Sequence, residues 1–139
     1  MFGQAAHASN AYRRLAVESA ALGADSHQLI SMLFAGTQAA IAQARAALAR
    51  GDIGAKALAS SRAIRLVDEG LKVAVDRSVG ELGESLYQLW EYCARRLLHA
   101  HLKHDDVAYV EVSGLIGQIE SAWSSIGPNG ASPTLRRVA

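Results

Sequence analysis

Apolar residues along this chain recur at three- and four-residue steps, the period of an α-helix. No stretch alternates apolar and polar residues as a half-buried strand would. Asp25 precedes one helical run and Gln28 follows three positions later, a D-x-x-Q capping box that predicts a helix from there to about Arg50. Gly51 then supplies a left-handed cap. Asp52 starts a second helix, whose apolar residues Ile53, Ala57, Ile64, Val67, Leu71 and Ala74 keep the helical step. The stretch DRSVGELG, with Gly80 and Gly83, reads as a loop. A third long helix is expected from about Glu81 to Lys103, and Asp105 or Asp106 caps a fourth. In that last helix Tyr109, Val112, Ile116, Ile119, Trp123 and Ile126 step 3-4-3-4-3, a heptad seam, and Gly127-Pro128 stops it.

This pattern predicts an all-α fold, an antiparallel up-down helical bundle of four long helices plus a short or flexible N-terminal segment. The short connections favour antiparallel neighbours. Residues 1–126 are expected to form a single helical-bundle domain. Within it, 1–23 is a partly mobile N-terminal segment in which AYRRLAVESAAL makes at most a short helix, and 127–139 is a flexible tail.

The third helix has an unusual distribution of apolar positions. With Leu86 at 0° and an advance of ~100° per residue, Leu86, Leu89, Cys93, Leu97 and Ala100 form a core stripe. Tyr87, Trp90, Ala94, Leu98 and Leu102 extend that surface around the helix. The apolar arc is wider than the ~100° that one core contact requires. Such a helix is either sandwiched between neighbours or presents a groove to a partner. The helix opening at Asp25 instead concentrates small residues, Ala35, Gly36, Ala39, Ala40, Ala42 and Ala44, which allow close approach by a neighbouring helix or by a helix from another protein.

Composition narrows the function classes. A length of 139 residues suits one sizeable core. Apolar residues make up 50% but aromatics only 6%, which favours helices packed through small side chains over a β-sandwich. A net charge of +1, with arginines in separate pairs at 13–14, 95–96 and 136–137, is a poor footprint for nucleic acid. The lone Cys93 excludes an internal disulfide and a Cys-rich zinc site, and fits a reducing, cytoplasmic setting. MFGQAAHASN lacks the basic start and apolar run of a secretory signal. SHQLISMLFAGTQAAIAQA approaches the ~20 residues of a membrane span but carries His27, Gln28, Gln38 and Gln43, so a buried helix and no membrane insertion are expected.

Candidate chemistry centres on RRLLHAHLKHDD, which holds three of the five histidines. His99 falls on the polar arc while His101 points into the apolar arc, so the histidines do not converge. Only His101 and His104 could share a metal ion, and a third ligand such as Asp105 or His27 would have to be recruited. His99 and His104 are expected to be solvated near a helix C-terminus, and His101 to be hydrogen-bonded within an apolar setting. Cys93 lies on the core stripe, where a thiol is inert packing. Phosphate loops and nucleophile elbows are absent from the sequence. The residues therefore predict a helical interaction module, neither an enzyme nor a cofactor or metal protein.

Several stretches taken in order resemble the FliS-type flagellar export chaperones. ADSHQLISMLFAG resembles the start of that family's long helix, Gly51-Asp52 its Gly-Asp turn, and SSRAIRLVDEGLKVAVD the helix that follows. ESLYQLWEYCARRLLHAHLKHD and a last heptad ending at Trp123 complete the resemblance, which covers roughly Tyr12 to Ile126. The chain departs from the pattern in four places. Phe34-Ala35-Gly36 stands where Tyr-Asp-Gly is usual, Asp25-Ser26 where Ser-Pro is usual, Leu89-Trp90 for Leu-Tyr, and Ala100-His101 for Ala-Asn.

The resemblance implies a cytosolic chaperone for the C-terminal segment of monomeric flagellin, which is disordered before assembly. Masking that segment prevents premature polymerisation and keeps the subunit ready for the flagellar type III export apparatus. Export-gate components and flagellar regulators are further partners that it implies. A client that folds on binding needs a long apolar surface to offset its ordering cost. Residues expected to serve it are Leu29, Leu33, Phe34, Ala40 and Ile41 on one helix and Tyr87, Trp90, Leu98 and Leu102 on another. Tyr12 matches the family's N-terminal tyrosine and would occupy a groove in the free protein. The competing expectation is a homodimeric helical adaptor that uses the same apolar surface for itself and binds no flagellin. The chaperone reading expects a monomer or weak homodimer when free.

Overall fold

Gly51 ends the first helix in the left-handed conformation, at φ 74°, and the Asp52 carboxylate accepts from the Ala55 N–H at 3.0 Å to open the next. These two local signals position the first turn of a computed structural model that describes residues 26–75 and 77–126. The expectations for residues 1–23 and 127–139, for the Asp25 cap and for Tyr12 lie outside the described residues. Among the described residues there are four long α-helices: α1 Ser26–Ala49, α2 Ile53–Arg65, α3 Glu81–Lys103 and α4 Asp106–Ile126. Among the described residues there is no strand.

Side-chain pairs give the register. His27 meets Trp123, Gln38 meets Ser113 and Arg45 meets Asp106, so α1 and α4 run antiparallel. Arg96 and Tyr92 both reach Glu111, and His99 reaches Asp105 at 3.2 Å, which closes α3 and α4 into a second antiparallel pair. Backbone contacts link α1 with α2, α2 with α3, α3 with α4 and α4 with α1. This is the up-down ring that short connections favour.

The second helix does not continue as a regular α-helix. From Leu66 to Leu71 it becomes a π-helix, with Lys72 N–H bonded to Val67 C=O at 2.7 Å, five residues back. The cause is visible in the burial pattern. Ala59, Ala63, Val67, Leu71 and Val75 are all buried and recur every four residues. In a 3.6-residue helix each such step overshoots by ~40°, about 160° over four steps. The wider i→i+5 turn takes up that drift and keeps the stripe facing inward. Gly70 lies inside this turn, and a Cβ there would meet Leu33 Cδ2 at 2.9 Å, so glycine permits the close approach to α1. A short 3₁₀ turn, Arg77–Val79, and Gly80 at φ 91° then lead into α3.

The core joins Ile30, Phe34 and Ile41 of α1 to Ala59 and Ala63 of α2, Trp90, Cys93 and Leu97 of α3, and Tyr109, Val112 and Ile116 of α4. The small residues of α1 divide. Ala40 and Ala44 face this core, while Ala35, Ala39 and Ala42 face outward.

One charge is buried with them. Lys56 on α2 reaches the end of α3, where its Nζ donates to the His101 carbonyl and to His104 Nδ1, each at 2.7 Å. Burial pushes its pKa below the ordinary lysine value. Against that cost stands the partial negative charge of a helix C-terminus, which favours a cation at this place. His104 itself takes the left-handed cap position at φ 52°, a conformation histidine tolerates better than most non-glycine residues. Asp105 then accepts from the Ala108 N–H at 3.3 Å and caps α4.

Candidate partner-binding surface

The residues expected to meet a partner fall into two groups. Phe34, Ala40, Ile41 and Trp90 are placed in the core, not at the surface. Phe34 and Trp90 form a tilted ring pair 6.1 Å between centroids that ties α1 to α3. The wide apolar arc of α3 is therefore partly explained by the sandwich arrangement, because one part of it packs on α4 and another on α2 and the π-turn. Trp90 Nε1 is buried with no hydrogen-bond partner among the described residues.

The rest remain near solvent. Leu29 and Leu33 are half-buried, Leu98 is 48% exposed and Leu102 is 62% exposed. Leu98 and Leu102 lie one turn apart on the outer side of α3 and form a continuous apolar ridge. Tyr87 is half-buried under two cations, with the Arg77 guanidinium 3.9 Å and the Lys72 ammonium 5.5 Å from its ring centroid. Arg77 is also held bidentately by Glu84, at 2.9 and 3.1 Å, so this face of the ring is already occupied.

Leu33 opens onto a feature that helical periodicity does not reveal. A groove of about 450 Å³ runs between α1 and the α2–π-turn segment, lined by Leu33, Leu58, Leu66, Gly70, Ser61 and the charged Arg62, Arg65 and Glu69. Leu58 is 76% exposed, the most exposed large apolar side chain among the described residues. Its sequence signal is its position. Leu58 lies ~100° off the buried Ala59–Ala63–Val67 stripe, so a large apolar residue stands where a solvated one would serve. Isolated exposed leucines are ordinary, but a concave cluster marks an interaction site. Burying one such side chain fully contributes about 1.5–3 kcal/mol.

The titratable groups offer little chemistry. Burial, with Glu111 nearby, pushes the Cys93 thiol up to about 12, so it is not a nucleophile at neutral pH. His99 pairs with Asp105, His104 with Lys56, and His101 has a buried Nδ1 with no partner among the described residues. The last of these departs from the hydrogen-bonded setting expected for it. His104 is exposed but anchored, not merely solvated. No group of three or more His, Cys, Asp or Glu side chains among the described residues is arranged to hold a metal ion. No described helix is long and apolar enough to cross a membrane.

Comparison with known proteins agrees with the resemblance in the sequence. The family described as "Flagellar protein FliS" matches residues 8–130. The chain is 45% identical over 119 residues to the flagellar secretion chaperone FliS of Salmonella typhimurium, covering 85% of this chain and 88% of that one. It is 38% identical over 120 residues to the FliS of Escherichia coli, covering 86% and 88%. To the flagellar secretion chaperone FliSB of Pseudomonas aeruginosa it is 34% identical over 116 residues, covering 83% and 91%.

Proposed function

The chain belongs to the FliS family of flagellar secretion chaperones, and from that premise we propose that it binds the C-terminal segment of monomeric flagellin in the cytoplasm. Binding masks a segment that would otherwise drive subunit association, and it holds the subunit in a form the flagellar export apparatus accepts. The role is non-catalytic. Its working part is a surface that a disordered client folds against.

The observation that carries this reading is the apolar surface left open among the described residues: the Leu33–Leu58–Leu66 groove and the Leu98–Leu102 ridge. A segment that orders on binding gives up part of its gross interaction energy to entropy, so it needs anchors at several places. Helical anchors at i, i+3, i+4 and i+7 suit a groove of this kind. Groove and ridge lie on different helices, which favours a client that wraps around the bundle over one that fills a single pocket. Tyr12 and Leu29 are proposed to belong to the same surface. Phe34, Ala40, Ile41 and Trp90 support it from beneath.

The test is filament growth. Purified flagellin monomers, seeded in the presence of equimolar protein, should fail to elongate, and unimpeded elongation would refute the role.

A further inference from the structure

The groove between α1 and α2 is apolar on its floor but not neutral at its rim. Leu58, Arg62, Arg65 and Glu69 follow one another at four-, three- and four-residue steps, so they form one ridge along its edge. Arg65 and Glu69 face each other at 3.7 Å with both side chains mostly exposed, a contact of little worth. The Arg62 side chain has no hydrogen bond, ion pair or ring contact among the described residues, whereas the guanidinium groups of Arg45, Arg77 and Arg96 are each locked onto a carboxylate. Arg95, on α3, is also without a side-chain partner among the described residues but lies outside the groove. The groove thus presents one free guanidinium beside an apolar floor, next to a π-turn of the kind that often marks functional sites.

We propose that this groove takes an amphipathic client helix with an acidic residue beside its apolar stripe, and that Arg62 reads that carboxylate. The proposal rests on the reading that the protein binds the C-terminal segment of flagellin, and it assigns the specificity of one part of that contact. The apolar anchors would cover Leu33, Leu58 and Leu66, while the carboxylate accepts from the Arg62 guanidinium in the fork geometry that arginine favours. Apolar contact alone leaves a helix free to slide or turn in the groove. One charged pair at the rim fixes its direction and register at small cost in solvation, because Arg62 stays partly wet.

The experiment is a double-mutant cycle read by calorimetry. The probes are a peptide of the flagellin C-terminal segment and the same peptide with every Asp and Glu replaced by its amide. Wild-type protein should bind the acidic peptide about fivefold more tightly than the amide form, the upper range for a rim-exposed pair. Arg62→Gln should lose that preference and bind both alike. Arg62 is exposed and its side chain makes no hydrogen bond or ion pair among the described residues, so this variant should keep its helix content and unfolding midpoint. Leu58→Asp, also at an exposed position, should weaken both peptides.

An Arg62→Gln variant that still prefers the acidic peptide would overturn the proposal while leaving the flagellin reading intact. So would a Leu58→Asp variant that binds as wild type does, because the client would then lie elsewhere. A wild-type protein that binds neither peptide would remove the underlying reading and this proposal with it.

Discussion

His27 and Trp123 each donate to the other's backbone. His27 Nε2 donates to the Trp123 carbonyl at 3.2 Å, Trp123 Nε1 donates to the His27 carbonyl at 3.3 Å, and the rings stack at 4.8 Å and 13°. The pair fastens the start of α1 to the end of α4, through two residues 96 positions apart in sequence. A helix start is the natural place to fray, since its first backbone donors lack intrahelical partners. The clasp gives this one a tertiary anchor.

Removing either half should be measurable. Trp123→Ala should cost about 3–5 kcal/mol, as for other buried large aromatics. His27→Ala should cost about 1–3 kcal/mol, for one hydrogen bond and the ring stack. Urea unfolding monitored by circular dichroism reads both. A His27→Ala protein as stable as wild type would mean that the clasp is incidental.

Acid should loosen the α3–α4 hairpin. Glu111 accepts from Tyr92 Oη and from Arg96 Nε, and these two bonds hold its carboxyl below the ordinary glutamate value. A carboxyl lowered on folding contributes stability that is complete above its unfolded value, about pH 4.3, and is lost as pH falls through its folded value. Asp106, held low by Arg45, acts in the same direction. Glu111→Gln should therefore lower the urea midpoint at about pH 6, and the gap to wild type should close toward about pH 3. A gap that stays constant across that range would contradict the assignment.

The Cys93 thiol is buried and pushed up to about 12. It should resist a thiol-specific disulfide reagent at about pH 8 in the native protein and react once urea unfolds the chain. Rapid reaction of the folded protein would place Cys93 at the surface and disprove the core assignment of its stripe.

These features differ in how far they could be read from the chain. The turn at Gly51 and Asp52 is local chemistry, a left-handed cap followed by a carboxylate cap, and both formed where the sequence put them. The heptad seam of α4 became core at Tyr109, Val112, Ile116 and Trp123 because its spacing alone sets its face. The π-turn was hidden, because three- and four-residue steps look helical whether or not their drift accumulates. Phe34 and Leu58 are both large and apolar, yet one is core and the other is open to solvent. That distinction depends on where neighbouring helices stand, which no local pattern records. Lys56 poses a different difficulty. It stands seven residues before Ala63, on the inward face of its helix, where no local pattern names a partner for a charge, and only the arrival of the α3 terminus gives its ammonium two acceptors.

The most direct test of the central claim is to titrate the protein with a peptide of the flagellin C-terminal segment from the same organism, following heat and helix content together. Binding at about 10⁻⁶ M or tighter is expected for a multi-helix contact of standard area, with a gain in helix as the peptide orders. Leu58→Asp and Leu98→Asp should each weaken it without unfolding the bundle. No heat and no helix gain at about 100 μM peptide, where even a weak specific complex would register, would contradict the account.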